Sequence, residues 1–205
     1  LAAAAVLAAC GGGSSSGEGD APVTPPPQQA PQLTLLAGNA GGRGNLDGSV
    51  DVARFDSPAS VAIDLSGNRY VSDRENHVIR KIGADGQTVS TFAGRPGEAG
   101  DADGIGAEAR FRGPEGILID KQFLYVADAG NRMVRRIDLQ TGGVVTLAGS
   151  PQPGAVVPAV DGSAGRSGTA RFSRPTALAF AVTSVCSPLL IADSGASAIR
   201  MLVDD

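Results

Sequence analysis

Gly67-Asn68-Arg69-Tyr70-Val71-Ser72-Asp73-Arg74-Glu75-Asn76-His77-Val78-Ile79-Arg80-Lys81-Ile82 decides how this chain folds. Gly67 and Asn68 are turn residues, the Asp-Arg-Glu-Asn stretch is a second turn, and the apolar residues on either side are aromatic or β-branched. That is a short strand, a tight turn and another short strand. Upstream, Val61, Ile63 and Leu65 alternate with a period of two, and downstream Ala84-Asp85-Gly86 supplies a further turn before a Thr-rich segment. The reading is a four-stranded antiparallel meander.

The same pattern recurs twice more. Leu124-Tyr125-Val126-Ala127-Asp128-Ala129-Gly130-Asn131-Arg132-Met133-Val134-Arg135-Arg136-Ile137 repeats it closely, and the segment ending Asp193 and Ile199-Arg200-Met201-Leu202 repeats it more loosely. Ahead of each copy stands an Ala-Gly (37–38, 93–94, 148–149), then an Asp-Gly (47–48, 103–104, 161–162), then Ala-Arg-Phe, and three residues later Pro58, Pro114 or Pro175. Strands are expected at about 59–65, 69–73, 77–83 and 88–93 in the first unit and at about 115–120, 123–127, 133–138 and 144–148 in the second. A four-stranded unit repeated radially is a blade of a β-propeller, which protects its edges by packing sheet on sheet.

The two quoted strings resemble the NHL repeat, and the resemblance covers roughly residues 33–205. It implies an all-β propeller of four-stranded antiparallel blades, of which about three are present (55–93, 111–148 and 172–205), as part of a ring that in this family usually has six. Leu33 to Gly38 is expected as an outer strand closing a blade that the sequence does not contain, so that residues are expected to be missing beyond residue 205, and the absent initiator Met and basic start imply the same before residue 1. The third copy departs from the pattern: Ala196 and Ser197 replace the Asn-containing turn, and the stretch between Phe180 and Pro188 is expanded.

The first residues carry a different message. Residues 1–9 read as the end of a secretion signal, and Leu7-Ala8-Ala9-Cys10 resembles the bacterial lipobox, which implies lipidation of Cys10. Residues 10–32 then form a Gly/Ser/Pro tether with too little apolar surface to order itself, spanning roughly 25 Å as a coil. The expected location is the bacterial cell envelope, with the lipid as the membrane contact. Gly11, where an Asp would imply retention at the inner membrane, points to the outer membrane. Cys186 is then left without a partner in the chain and is expected to be a buried thiol.

A net charge of −4 leaves no overall basic footprint for nucleic acid. Residues present in every repeat are expected to serve the blade. Phe55, Phe111 and Phe172 are read as wedges between sheets, and Arg54, Arg110 and Arg171 as partners of Asp73, Asp128 and Asp193 or of loop carbonyls. The Asp-Gly pairs are read as turns in which the carboxylate bonds nearby amides, in preference to a calcium loop at Asp101 to Glu108. His77 lacks a second ligand at metal-binding spacing, and the inner-strand residues Ser60, Glu115 and Thr176 do not make a metal set. No catalytic, cofactor or metal site is therefore read, and no cofactor is expected. The expected function is non-catalytic binding or scaffolding through the face that carries the long loops, its partner an envelope protein, glycan or small ligand. The alternative is a metal-dependent lactonase or lyase whose site lies in further blades. The third long loop, Gly149 to Phe172, is the longest and is stiffened by Pro151, Pro153 and Pro158.

Overall fold

The computed structural model describes residues 32–38, 42–150, 162, 169–181 and 188–203. The residues read as a signal-peptide end, Cys10, most of the stretch read as a tether, Cys186 and most of the third long loop lie outside them. Every strand belongs to the compact unit that begins at Leu35.

Among the described residues thirteen strands form three antiparallel sheets. In the first blade, β1 (Gly48–Ser49) precedes β2 (Pro58–Ile63), β3 (Arg69–Asp73), β4 (Val78–Ile82) and β5 (Thr88–Ala93). The second repeats this with β6 (Gly104–Ile105), β7 (Pro114–Asp120), β8 (Phe123–Asp128), β9 (Met133–Asp138) and β10 (Gly143–Gly149). The described part of the third contains β11 (Pro175–Phe180), β12 (Leu189–Asp193) and β13 (Ala198–Leu202). Strands β2 to β5 and β7 to β10 pair in sequence order, which is the expected meander.

One feature was not anticipated. The Asp-Gly segments are not self-contained turns: β1 pairs with β5 and β6 with β10, so the incoming loop adds a fifth strand to the outer edge of the blade it leads into. This covers backbone groups that an exposed edge would leave open. The outer strand expected over 33–38 would pair with a blade that the sequence does not contain. Residues 32–36 have no regular secondary structure, because a strand exists only where a neighbouring ladder can satisfy it; the Gly38 amide donates instead to the Val50 carbonyl at 2.9 Å.

Blades pack through their faces. Phe111, fully buried, lies in a core with Tyr70, Ile79 and Ala93 of the first blade and Leu124, Val126 and Ile137 of the second. Phe172 does the same among Tyr125, Val134 and Ala148 of the second blade and Leu189 and Ile191 of the third. Phe55 is half-buried against Ala53, Val71, Ile82 and Val89. The Ala-Gly landmark follows from this packing. Gly38, Gly94 and Gly149 all have φ near +95°, a conformation that disfavours a side chain, and a Cβ there would stand 3.3, 3.2 and 3.0 Å from the ring of Phe55, Phe111 and Phe172. On the outward faces of the first and third blades, Val61, Ile63, Ile199 and Met201 are exposed.

The polar centre of each complete blade is a buried arginine on the third strand. Arg80 has no exposed surface; its two terminal nitrogens donate to Asp73 (2.9 Å), Asp47 (2.6 Å) and the carbonyls of Arg54 and Leu46 (both 2.8 Å). Arg135 reproduces the set with Asp128 (3.1 Å), Asp103 (2.6 Å) and the carbonyls of Arg110 and Ala102 (both 2.9 Å). Each guanidinium also lies over the wedge ring, Arg80 at 5.0 Å from Phe55 and Arg135 at 5.2 Å from Phe111. Arg200 takes the same position over Phe172 at 5.4 Å. Burial pushes the Asp128 carboxyl up to about 6, against the opposing pull of Arg135, the Arg112 amide and Asn131. The same desolvation raises Asp73.

Arg135→Met should therefore destabilise the domain by about 3–5 kcal/mol at neutral pH by leaving Asp128 buried without its cation. A carboxyl raised in the folded state binds its proton more tightly there than in the unfolded chain, so lowering the pH favours the folded form. Losing the cation raises Asp128 further, and the deficit relative to wild type should be smaller at about pH 5 than at about pH 9 in urea unfolding. An equal deficit at both would refute this account. The inner strands of the second and third blades approach so closely that a Cβ on Gly116 would stand 2.6 Å from the Thr176 carbonyl oxygen. Gly116→Ala should cost about 1–3 kcal/mol by forcing the blades apart, read as a lower urea midpoint.

Candidate functional site

The second-to-third strand turns and the segments entering the inner strands emerge at one end of the sheets. Residues 74, 75, 77, 129, 130 and 132 of the turns stand there with 112–113 and 173–174, and together they line a cleft of about 370 Å³. Its walls come from all three blades: Arg74, Glu75 and His77 from the first, Arg112, Glu115 and Arg132 from the second, and Ser173 and Arg174 from the third.

The local sequence fixes these positions. The aspartate ending each second strand reaches back to the amide that enters the blade: Asp73 accepts from the Asp56 amide (2.7 Å), Asp128 from the Arg112 amide (2.8 Å), and Asp193 from the amides of Ser173 and Arg174 (3.0 and 2.6 Å). In the first two blades Asn76 and Asn131 brace the same carboxylates at 2.8 and 2.7 Å. The turn then closes on a residue in the left-handed region: His77 (φ 61°), Arg132 (φ 59°) and Ser197 (φ 53°) occupy one register. Three different side chains are thus held on one backbone conformation that non-glycine residues adopt at a cost.

Neighbouring blades meet across the cleft. His77 Nδ1 lies 3.2 Å from the Gly113 amide and 3.1 Å from the Arg74 carbonyl, which ties the ring to the entry segment of the second blade and to its own turn. Glu115 of the second blade lies between two arginines of the other blades, 2.6 Å from Arg174 and 3.7 Å from Arg74. Arg74 also faces Glu75 at 3.5 Å, and Arg112 Nε donates to Asn131 at 3.4 Å. Four guanidinium groups face two carboxylates in this lining, on a chain whose net charge is −4.

The residues singled out by recurrence lie behind this surface. Arg54, Arg110 and Arg171 do not pair with Asp73, Asp128 and Asp193 in the contacts observed. Arg54 donates to the carbonyls of Asp51 and Ala53 (3.3 and 2.9 Å), Arg110 to those of Ala107 and Ala109 (2.7 and 2.8 Å) and to Glu98 (2.9 Å), and Arg171 to that of Ala170 (2.8 Å). The aspartate partners in the first two blades are Arg80 and Arg135, whose recurrence with Arg200 in one register was the available signal. The Asp-Gly carboxylates are likewise used at long range: Asp47 accepts from the Thr91 amide (3.0 Å) and Asp103 from the Thr146 hydroxyl (2.9 Å), besides their arginines. Ser60 accepts from the Ile117 amide at 3.3 Å and Thr176 donates to the Ala192 carbonyl at 3.4 Å, so neither turns with Glu115 toward a common point. Among the described residues no three His, Cys, Asp or Glu side chains are grouped to hold a metal, and no helix is long and apolar enough to cross a membrane. The cleft itself was missed by sequence reasoning, because its residues differ from blade to blade where the motif residues agree.

No protein-family model matches the chain. It is similar to NHL repeat-containing protein 2 of Gallus gallus, 39% identical over 93 residues, which cover 45% of this chain and 12% of that protein. Among solved structures, an auxiliary nutrient binding protein from Bacteroides ovatus superposes with a TM-score of 0.58 at 21% identity, over 69% of this chain and 36% of the other. A putative phosphatase from Bacteroides thetaiotaomicron superposes with a TM-score of 0.55 at 21% identity, over 71% of this chain and 34% of that one. The chain thus spans about a third of the length of these structures and far less of the curated relative. At such identity the structural likenesses speak to the fold alone. Joined to the meander and the inter-blade packing, they make the described chain a set of β-propeller blades, and the sequence match makes its repeats similar to those of NHL repeat-containing proteins.

Proposed function

We propose that this chain is a non-catalytic binding or scaffolding propeller of the bacterial cell envelope that contacts its ligand through the loop-rich face. The observation that carries this reading is the cleft where all three blades bring differing polar side chains together on a shared backbone frame. A pocket of convergent polar groups at the meeting of rigid elements is where ligands bind. Two structural neighbours, from Bacteroides ovatus and Bacteroides thetaiotaomicron, are described as auxiliary nutrient binding proteins, which is consistent with a binding role. The lipobox-like Leu7-Ala8-Ala9-Cys10 supports anchorage by a lipid on Cys10, with the following Gly/Ser/Pro segment as tether and the outer membrane as the site.

The face is tested by a pair of variants in the complete protein. Arg174→Glu in the cleft should abolish retention of the ligand recovered from envelope extract and identified by mass spectrometry, whereas Lys121→Glu at the opposite end should leave it intact; the reverse pattern would place binding on the other face. The ligand should be recovered chemically unchanged. Anchorage is tested separately: Cys10→Ser should abolish incorporation of labelled fatty acid and release the mature chain from membranes, and wild type that is retained without label would remove the lipid from this account.

A further inference from the structure

We infer that the cleft takes a small hydrophilic polyanion, one carrying two or more carboxylate or phosphate groups; this rests on the reading of the loop-rich face as the ligand surface. The cleft already grips a carboxylate. Glu115 is held by Arg174 at 2.6 Å and approached by Arg74 at 3.7 Å, arginines contributed by the third and first blades on either side of it. A planar fork of donors matches an oxyanion in a way an ammonium does not, and this geometry shows that guanidinium groups from separate blades converge on one such group. Arg112 and Arg132 line the same space, so that four guanidinium groups and two carboxylates make up its charged lining.

The rest of the lining agrees. Among the described residues His77 contributes the only ring in the lining, and no Phe or Tyr lines the cleft. A nucleobase would find no stacking platform of the usual kind there. Gly113 and Gly130 leave part of the wall without side chains, so that a ligand can approach the backbone. Arg74 and Arg174 keep 43% and 52% of their side-chain surface exposed, which leaves their donors accessible. A cleft with this local excess in a negatively charged protein also focuses field lines toward itself. The cleft at the opposite end, of about 390 Å³, is lined by Lys81, Lys121, Asp64 and Tyr70 and holds no arginine.

Calorimetric titration of the full chain at low ionic strength tests this with three probes: trigalacturonate for carboxylates, tripolyphosphate for phosphates, and maltotriose as a neutral control. Saturable binding of either anion is expected, and the tighter of the two identifies the ligand's chemistry. Arg74→Gln with Arg112→Gln should weaken it about tenfold or more, the loss of roughly one strong charge-assisted contact. Glu115→Gln removes the internal competitor and should tighten binding about threefold, a direction that general damage to the fold would not produce. Lys81→Gln with Lys121→Gln should change nothing. Failure of both anions to bind saturably, or affinities indifferent to the arginine and Glu115 variants, would overturn the inference. Binding of maltotriose alone, lost with Arg174→Glu, would overturn it while leaving the loop-rich face as the binding surface. Loss of binding in the lysine variant would overturn both.

Discussion

A guanidinium group with no access to water is tolerable only if its charge and its donors are answered. Arg80 and Arg135 meet that condition with two carboxylates and two carbonyls each, leaving only Nε–H without a partner. The partners come from three places far apart in sequence: the incoming loop, the Ala-Arg-Phe segment and the end of the second strand. Through this one side chain the loop is pinned to the sheet, the loop aspartate is oriented toward the outer strand, and the wedge phenylalanine gains a cation over its ring. The fifth strand added at the outer edge is a consequence of the same fastening, because the residues that form it flank the aspartate that the arginine holds.

The cleft depends on that fastening at one remove. Asp73 and Asp128 each divide their oxygens between the buried arginine and the amide that enters the blade. The carboxylate that stabilises the interior therefore also sets the height of the segment carrying Arg112 on the surface. The turn beyond it is closed by bonds from the His77, Arg132 and Ser197 amides to the carbonyls three residues earlier. Backbone geometry is thus held constant by buried groups while the exposed side chain at each register changes. Such a division lets a surface vary in chemistry without disturbing the sheets beneath.

What could be read from the sequence follows the same division. Period-two alternation and turn residues placed the strands of the first two blades within a residue or two, since pleating and turn chemistry are local. Three phenylalanines in one register announced a repeated packing role. The partners of the aspartates were not legible, because Arg80 and Arg54 are both arginines in fixed register, and only the sheet shows that the third-strand side chain points inward while Arg54 lies along its own loop. The fifth strand was hidden for a different reason: a two-residue bridge such as Gly48–Ser49 leaves no periodicity to detect. The cleft was hidden because a search for self-similarity finds what blades share, and this site is made of what they do not.

Where the repeats may be cut without harm is set by the buried arginines. Leu46, Asp47, Arg54, Asp73 and Arg80 all fall between Gly38 and Gly94, and Ala102, Asp103, Arg110, Asp128 and Arg135 all fall between Gly94 and Gly149. No member of one set is borrowed from another. A gene duplication or recombination with its breakpoints at the Ala-Gly pairs would hand over a self-sufficient cassette with its ionic interior complete. The new neighbours would then need to agree only in apolar packing and in a few inter-blade bonds, such as that from the Ser72 hydroxyl to the Glu115 carbonyl. A ring of such cassettes can gain or lose members in evolution, and each copy is free to diverge at its outer turn while its buried charges stay matched.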